Sequence, residues 1–226
     1  KYLKSLGSKK IKFLGNLKYS ESKTQKENTL NNSLKNTLNY KKVWCAASTH
    51  NSEEKICAIT HKKLKKKYKN LLTIIIPRHI QRADSIAREI QDIGLKVQTR
   101  SKNNKLKSNT EIYLVDTYGE TKSFYKICKT VFLGGSLINH GGQNPLEPVR
   151  LGCKVVHGPH IQNFTEVYKL LKAKGLSSKF NNIEQLVLLI DKSFKRKINY
   201  KNKIIKLKKV GSNILNKTFS EINCYL

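Results

Sequence analysis

The sequence predicts an α/β protein, a Rossmann-like doubly wound parallel sheet with helices on both faces, and three observations point there. Short apolar runs alternate with helical patterns through five or six repeats from Val43 onward, and strand alternating with helix at this spacing makes a parallel sheet. Leu71 to Ile76 is a near-continuous apolar run bounded by Pro77, as expected of a central strand buried on both faces. The residues least suited to a core, Ser48-Thr49-His50, Pro77-Arg78-His79, Tyr118-Gly119-Glu120 and Gly134-Gly135-Ser136, each follow a strand directly. In such sheets ligands sit beyond the carboxyl ends of the strands, where strand order reverses.

Taken in order, Ile11 to Asn16 reads as a strand. Leu17 to Lys42 is polar and reads as a linker, with Leu30, Leu34 and Leu38 at the four-residue spacing of one short amphipathic helix. Val43 to Ala47 is a strand, and Glu53 to Tyr68 a helix with Ile56, Ile59, Leu64 and Tyr68 toward the core. After the Leu71 to Ile76 strand a helix runs to Gly94, where glycine is the usual stop. Leu95 to Thr99 and Glu111 to Val115 are strands around a polar loop, Ser101 to Asn109. Thr121 to Lys129 is a helix, Val131 to Leu133 a strand, Pro145 to Leu151 a helix and Lys154 to His157 a strand. Helices from Asn163 to Lys174 and Ile183 to Lys192, and a basic amphipathic helix from about Tyr200 to Phe219, complete the chain.

Composition narrows the class. The 226 residues are ample for one large domain, and 45 Lys and Arg against 15 Asp and Glu give a formal charge of +30. That charge attracts polyanions, although enrichment in Lys, Asn and Ile together is also the mark of a coding bias. Five scattered cysteines without Cys-x-x-Cys spacing fit reduced thiols rather than a disulfide frame or zinc site. No apolar stretch approaches the roughly 18–20 residues that span a bilayer. The chain holds no methionine and starts with Lys1, so it is expected to be a piece of something longer.

The stretch from Val131 to Pro148 carries the strongest functional signal. A short strand runs into Gly134-Gly135-Ser136, and Gly141-Gly142 precedes Asn144-Pro145-Leu146-Glu147. Glycines admit close approach of the main chain, and a helix start offers N–H groups and partial positive charge to an anion. Asn144 as N-cap, Pro145 at the first helical position and Glu147 at the third also form an ordinary capping box, as does Thr117-Tyr118-Gly119-Glu120. Arg78, after a proline-fixed turn, can pair bidentately with a phosphate. Glu120 or Glu147 can accept both hydroxyls of a ribose, as the acidic residue of dinucleotide sites does. Neither Gly-x-Gly-x-x-Gly nor a P-loop motif is present. His50 and His79 lack metal-ligand spacing, and Lys62 to Lys67 is a solvated helix end.

The ordered set of motifs resembles a known family. Ala46-Ala47-Ser48-Thr49-His50 with Glu53-Glu54, Pro77-Arg78-His79 with Arg82, Asp116 to Glu120, Phe132 to Ser136, Gly141 to Pro148, and Gly158-Pro159-His160 with Asn163-Phe164 closely resemble the carboxyl half of 3-deoxy-D-manno-octulosonic acid (Kdo) transferase. The resemblance runs from about Ile11 to Leu176. It implies the C-terminal domain of a GT-B glycosyltransferase of Gram-negative bacteria, which moves Kdo from CMP-Kdo to the lipid A precursor in lipopolysaccharide biosynthesis. By that resemblance CMP is bound by Pro77, Arg78, Tyr118, Gly119, Glu120, Asn144, Pro145, Leu146 and Glu147, with Ser48, Thr49, Gly135 and Ser136 as phosphate-pocket candidates. It implies metal-independent transfer without a cofactor, and a general base in an N-terminal domain, so no catalytic residue is expected in this chain.

These readings divide the chain into residues 1–17 as a remnant of that N-terminal domain, 18–42 as linker, 43–198 as the CMP-sugar-binding domain and 199–226 as a basic helix. The expected partners are the CMP-sugar donor, the lipid A precursor, the N-terminal domain and the anionic inner-membrane surface on its cytoplasmic side, with no nucleic acid. A UDP-sugar GT-B enzyme and a non-catalytic basic module for membranes or nucleic acid are the competing expectations.

Overall fold

The computed structural model describes residues 2–20, 29–102, 105–195 and 201–224. The chain forms two compact units, one of Lys1–Thr24 with Lys201–Leu226 and one of Gln25–Tyr200. The first contains a single helical turn, α1 (Tyr2–Ser5), a 3-10 turn at Leu17–Tyr19 and a long C-terminal helix, Lys201–Asn223. The strand expected over Ile11 to Asn16 is not there. Those residues take no regular structure, and Phe13 is 86% exposed. An extended segment becomes a strand only when a neighbour completes its ladder, and its apolar alternation alone supplies none.

The second unit opens with α2 (Asn32–Asn39), whose first turn is capped by the Asn31 side chain accepting from Leu34 N–H at 2.8 Å. The expected short helix is thus present, but Leu30, Leu34 and Leu38 are almost wholly buried, so this stretch belongs to a core rather than to a free linker. There follow β1 (Lys42–Thr49), α3 (Glu53–Lys65), β2 (Leu71–Pro77), α4 (Ala83–Asp92), β3 (Val97–Thr99) and β4 (Ile112–Leu114). The remainder is α5 (Thr121–Tyr125), β5 (Thr130–Leu133), α6 (Leu146–Arg150), β6 (Lys154–His157), α7 (Thr165–Ala173), β7 (Ser177–Lys179) and α8 (Ile183–Lys195). The Lys201–Asn223 helix of the first unit is α9. Tyr200, where the sequence placed its start, lies outside the described residues.

The seven strands stand in the order β3-β4-β2-β1-β5-β6-β7, and every pairing is parallel. The chain works outward from β1 to one edge, then returns to lay β5 against the other side of β1. Strand order therefore reverses between β1 and β5. Side chains alternate across the sheet. Trp44, Ala46, Ile75, Ile112, Leu114, Phe132 and Val156 face one core, with Cys57, Ala58 and Leu64 of α3, Ile86 and Ile90 of α4, and Leu186 and Ile190 of α8. On the opposite face Tyr113 packs edge-on against Phe124 of α5, and His157 against Tyr168 of α7. Helices on both faces make the sheet doubly wound, the α/β class read from the sequence. Within α3 Glu53, Glu54, Cys57, Ala58, Thr60, His61 and Leu64 are buried, while Ile56, like Tyr68 beyond the helix, packs against the core only partly buried and Ile59 is also only partly buried.

His61 explains the one polar residue inside β2. Its Nδ1 lies 2.9 Å from the Thr73 hydroxyl, and both residues are completely buried. Burial, with the nearby Lys65 charge, pushes the imidazole down to about 4 from 6.5. A base whose folded value lies below its unfolded one stabilises the fold above the unfolded value, and that contribution disappears as pH falls through the window from 6.5 toward 4. Between pH 7.5 and 4.5 the native chain should lose about 2–3 kcal/mol more stability than His61→Gln in urea unfolding. Equal losses in the two proteins would show that this histidine is not the cause.

Candidate functional site

Because all strands run the same way, the segments after β1, β2, β4 and β5 emerge at one end of the sheet. Ser48, Thr49, Pro77, Arg78, Tyr118, Gly119, Glu120, Gly135 and Ser136 therefore share one rim, and Asn144 to Glu147 follow on the chain from β5. Cross-links hold the rim together. Arg78 N–H donates to Thr49 O at 2.9 Å, Gly134 N–H to Ala47 O at 2.9 Å, and Gly142 N–H to Gly135 O at 2.8 Å.

The centre of the rim is a carboxylate. Glu53, at the start of α3, is fully buried and accepts four main-chain N–H groups. They come from His50 at 2.9 Å, Gly135 at 2.8 Å, Ser136 at 3.1 Å and Leu137 at 3.0 Å. Burial raises its carboxyl pKa, and the four donors pull against that shift. The glycine-rich loop after β5 thus holds an anion, as the sequence suggested, but the anion is the chain's own. Gly134 is required by the approach: a Cβ there would fall 2.3 Å from Ser48 O and 2.6 Å from a Glu53 oxygen. The Ser136 hydroxyl is likewise committed, donating to Leu133 O at 2.6 Å and accepting from Gly158 N–H at 2.9 Å. The N–H groups of Gly135 and Ser136, two phosphate-pocket candidates, are both committed to Glu53.

Around this clamp lie exposed and unsatisfied groups. Ser48 is half-buried at φ 55, and the Thr49 hydroxyl is buried without a hydrogen-bond partner. The His50 ring stands 4.5 Å from the His140 ring and 6.0 Å from the His79 ring, centre to centre. Pro77 is buried while Arg78 and His79 are exposed. Arg82, which the sequence grouped with them, is engaged with buried Glu54 through two bonds of 3.0 and 3.2 Å.

The two acidic candidates differ in kind. Glu120 is buried and bound by Arg100 at 3.0 and 3.2 Å. The Thr117 hydroxyl donates to the Glu120 carboxylate rather than capping a helix N–H, and α5 starts with no side-chain cap. The capping box expected over Thr117 to Glu120 is therefore replaced by a buried ion pair, because Arg100 outcompetes a main-chain N–H for the carboxylate. Tyr118 and Gly119 are exposed beside it. α6 begins at Leu146, one residue later than expected, so Pro145 rather than Asn144 takes the N-cap position and no side chain caps the helix; Asn144 instead accepts from Leu146 N–H at 3.0 Å in a turn leading into it. Pro145 and Leu146 are buried. Glu147 is half-exposed, with Lys122 of α5 3.8 Å away, so the starts of α5 and α6 are neighbours.

Sequence reasoning missed the central task of Glu53, the Arg100 partner of Glu120 and the place of His140. Only Glu53 left a signal, a glutamate three residues beyond His50 in a helix-start pattern. A separate groove of about 680 Å³ lies between α4 and edge strand β3, lined by Arg88, Lys96, Gln98, Lys102 and Lys107 among others. Among the described residues no cluster of His, Cys, Asp or Glu is arranged to hold a metal, and no helix is long and apolar enough to cross a membrane.

No protein-family model matches the chain. Its sequence is 36% identical over 163 residues to the 3-deoxy-D-manno-octulosonic acid transferase of Haemophilus influenzae, covering 72% of this chain and 38% of that protein. It is 34% identical over 167 residues to the probable mitochondrial 3-deoxy-D-manno-octulosonic acid transferase of Arabidopsis thaliana, covering 72% and 37%. The chain thus spans less than half the length of these curated relatives. The crystal structure of the C-terminal CMP-Kdo binding domain of WaaA from Acinetobacter baumannii superposes with a TM-score of 0.66 at 26% identity, covering 79% of this chain and 91% of that one.

The two kinds of acidic residue should separate in stability. Glu53→Ala strands four buried N–H groups and should cost about 3 kcal/mol or more, and Glu120→Gln, which breaks a buried pair, about 3 kcal/mol. Glu147→Ala should stay within about 0.5 kcal/mol of wild type, being half-exposed. Denaturant titration of the three variants checks the order, and a Glu53→Ala protein as stable as Glu147→Ala would refute the clamp.

Proposed function

We propose that this chain, a relative of the Kdo transferases and of the C-terminal CMP-Kdo binding domain of WaaA, is the donor-nucleotide-binding half of a GT-B glycosyltransferase. In this reading it presents CMP-Kdo for transfer of Kdo to the lipid A precursor in lipopolysaccharide biosynthesis. The observation that carries it is the match to a CMP-Kdo binding domain over nearly the whole of that domain, together with two curated relatives named as Kdo transferases.

CMP lies along the rim formed by Pro77 and Arg78, by Tyr118, Gly119 and Glu120, and by Asn144, Pro145, Leu146 and Glu147. Glu147 serves as ribose acceptor, since its carboxylate is half-exposed on the rim, with Lys122 3.8 Å away. Glu120, bound to Arg100 and Thr117, holds the loop of Tyr118 and Gly119 in shape. Arg78, exposed after a fixed turn, pairs with the phosphate. Ser48 and Thr49 stay as phosphate-pocket candidates, because the Thr49 hydroxyl has no internal partner. In the transfer the acceptor hydroxyl attacks the anomeric carbon of Kdo, the bond to the phosphate oxygen breaks, and CMP departs with that electron pair. Basic side chains stabilise the departing anion without a metal. The base that takes the hydroxyl proton belongs to a further domain on the acceptor side. Work on a lipid acceptor places the enzyme peripherally on the cytoplasmic side of the inner membrane, where a net charge of +30 favours anionic lipid.

Thermal unfolding with added nucleotide tests this reading. CMP should raise the melting temperature, as any ligand of the folded state alone must, and UDP should not. Arg78→Ala and Glu147→Ala should each weaken CMP binding by roughly 1–3 kcal/mol through a lost charged hydrogen bond. Stabilisation by UDP alone would favour the UDP-sugar reading. Salt-dependent binding of RNA without any nucleotide effect would favour a basic binding module.

A further inference from the structure

Beside the Thr49 hydroxyl, a second buried polar atom on the rim has no hydrogen-bond partner. His50 is 8% exposed, and its Nδ1 lies 3.1 Å from Ser48 O. A carbonyl oxygen only accepts, so Nδ1 carries the ring proton. The other nitrogen, Nε2, is buried and has no hydrogen-bond partner. It is a lone pair, since a second ring proton would put a cation between the His79 and His140 imidazoles. The carboxylate nearest to the ring, Glu53 at 3.8 Å, already serves four N–H groups. Burial and the two neighbouring imidazoles shift His50 downward, toward the neutral form.

Such an atom takes a hydrogen and gives none. It cannot serve a phosphate, whose ionised oxygens also only accept, and it suits a hydroxyl. Its position agrees. Arg78 N–H is bonded to Thr49 O, so the residue assigned to the phosphate is tied to the neighbour of His50, which in the donor-binding reading brings a sugar carried on that phosphate toward the same loop. Gly135 keeps the place open, for at φ 64 its missing Cβ would stand 3.0 Å from His140 Cδ2 and 3.2 Å from His50 Cε1. His79 and His140 are exposed, so either ring can turn aside without disturbing the core.

We infer that His50 is a sugar-recognition residue, whose Nε2 accepts a hydrogen bond from a hydroxyl of the transferred Kdo once His79 or His140 moves off it. The inference rests on the donor-binding reading above, and it adds a group that distinguishes CMP-sugar from CMP. The test is calorimetric titration of the chain and of His50→Phe and His50→Gln with CMP and with freshly prepared CMP-Kdo, each variant first shown to melt as the wild type does. The wild type should bind CMP-Kdo more tightly than CMP. His50→Phe should lose about tenfold in affinity for CMP-Kdo, the worth of one buried hydrogen bond, while CMP binding stays within about twofold. His50→Gln, which can offer a carbonyl oxygen, should recover part of that loss. Unchanged CMP-Kdo affinity in His50→Phe, or an equal fall for both ligands, would overturn the inference and leave the nucleotide site standing. Failure of the wild type to bind CMP would overturn the donor-binding reading itself.

Discussion

A single buried carboxylate fastens the two halves of the sheet at the point where strand order reverses. Glu53 enters from the first turn of α3 and takes N–H groups from the loop after β1 and the loop after β5. Burying an ionised carboxylate without partners is prohibitively costly, so the position is tolerable only because four donors converge on it. That requirement fixes the path of both loops. It also explains why Gly134 admits no side chain and why Ser136 spends its hydroxyl on the local main chain.

The clamp has a consequence for ligand binding. In many doubly wound folds the crevice at the reversal point receives the anionic group of a nucleotide, and here that place is filled from within. On the outer part of the rim Arg78, Tyr118, Gly119, Asn144 and Glu147 are exposed, and the starts of α5 and α6 come together there at Lys122 and Glu147. The buried Arg100 and Glu120 pair shapes this outer surface in the way Glu53 shapes the inner one. Both use charge to set the path of a loop.

The layered architecture was legible because apolar periodicity is a local property. The Leu71 to Ile76 run declared a central strand, and β2 is buried along its whole length. Edges and isolated segments were not. Ser177–Lys179 is polar and joins the sheet as an edge strand only through Val155, Val156 and His157 of β6, a partner no local pattern names. Ile11 to Asn16 had the alternation of a strand but found no ladder. For the candidate site, the sequence identified which loops meet on the rim but not how their groups pair. Glu120 and Glu147 look alike as capping glutamates, yet Arg100, twenty positions before Glu120, buries one of them. The glycine pair at Gly134-Gly135 announced an anion, while the identity of that anion depended on a contact 82 positions distant. Long-range pairing of charges is decided by the fold and leaves little trace in spacing.

The central claim is that the rim after β2, β4 and β5 binds cytidine monophosphate. Amide NMR on isotopically labelled chain during titration with CMP tests it directly, since each residue reports separately. Shifts concentrated at Arg78, Tyr118, Gly119 and Asn144 to Glu147 are the predicted result. Shifts confined to the basic groove between α4 and β3, around Arg88, Lys96 and Lys107, or none at saturating nucleotide, would contradict it.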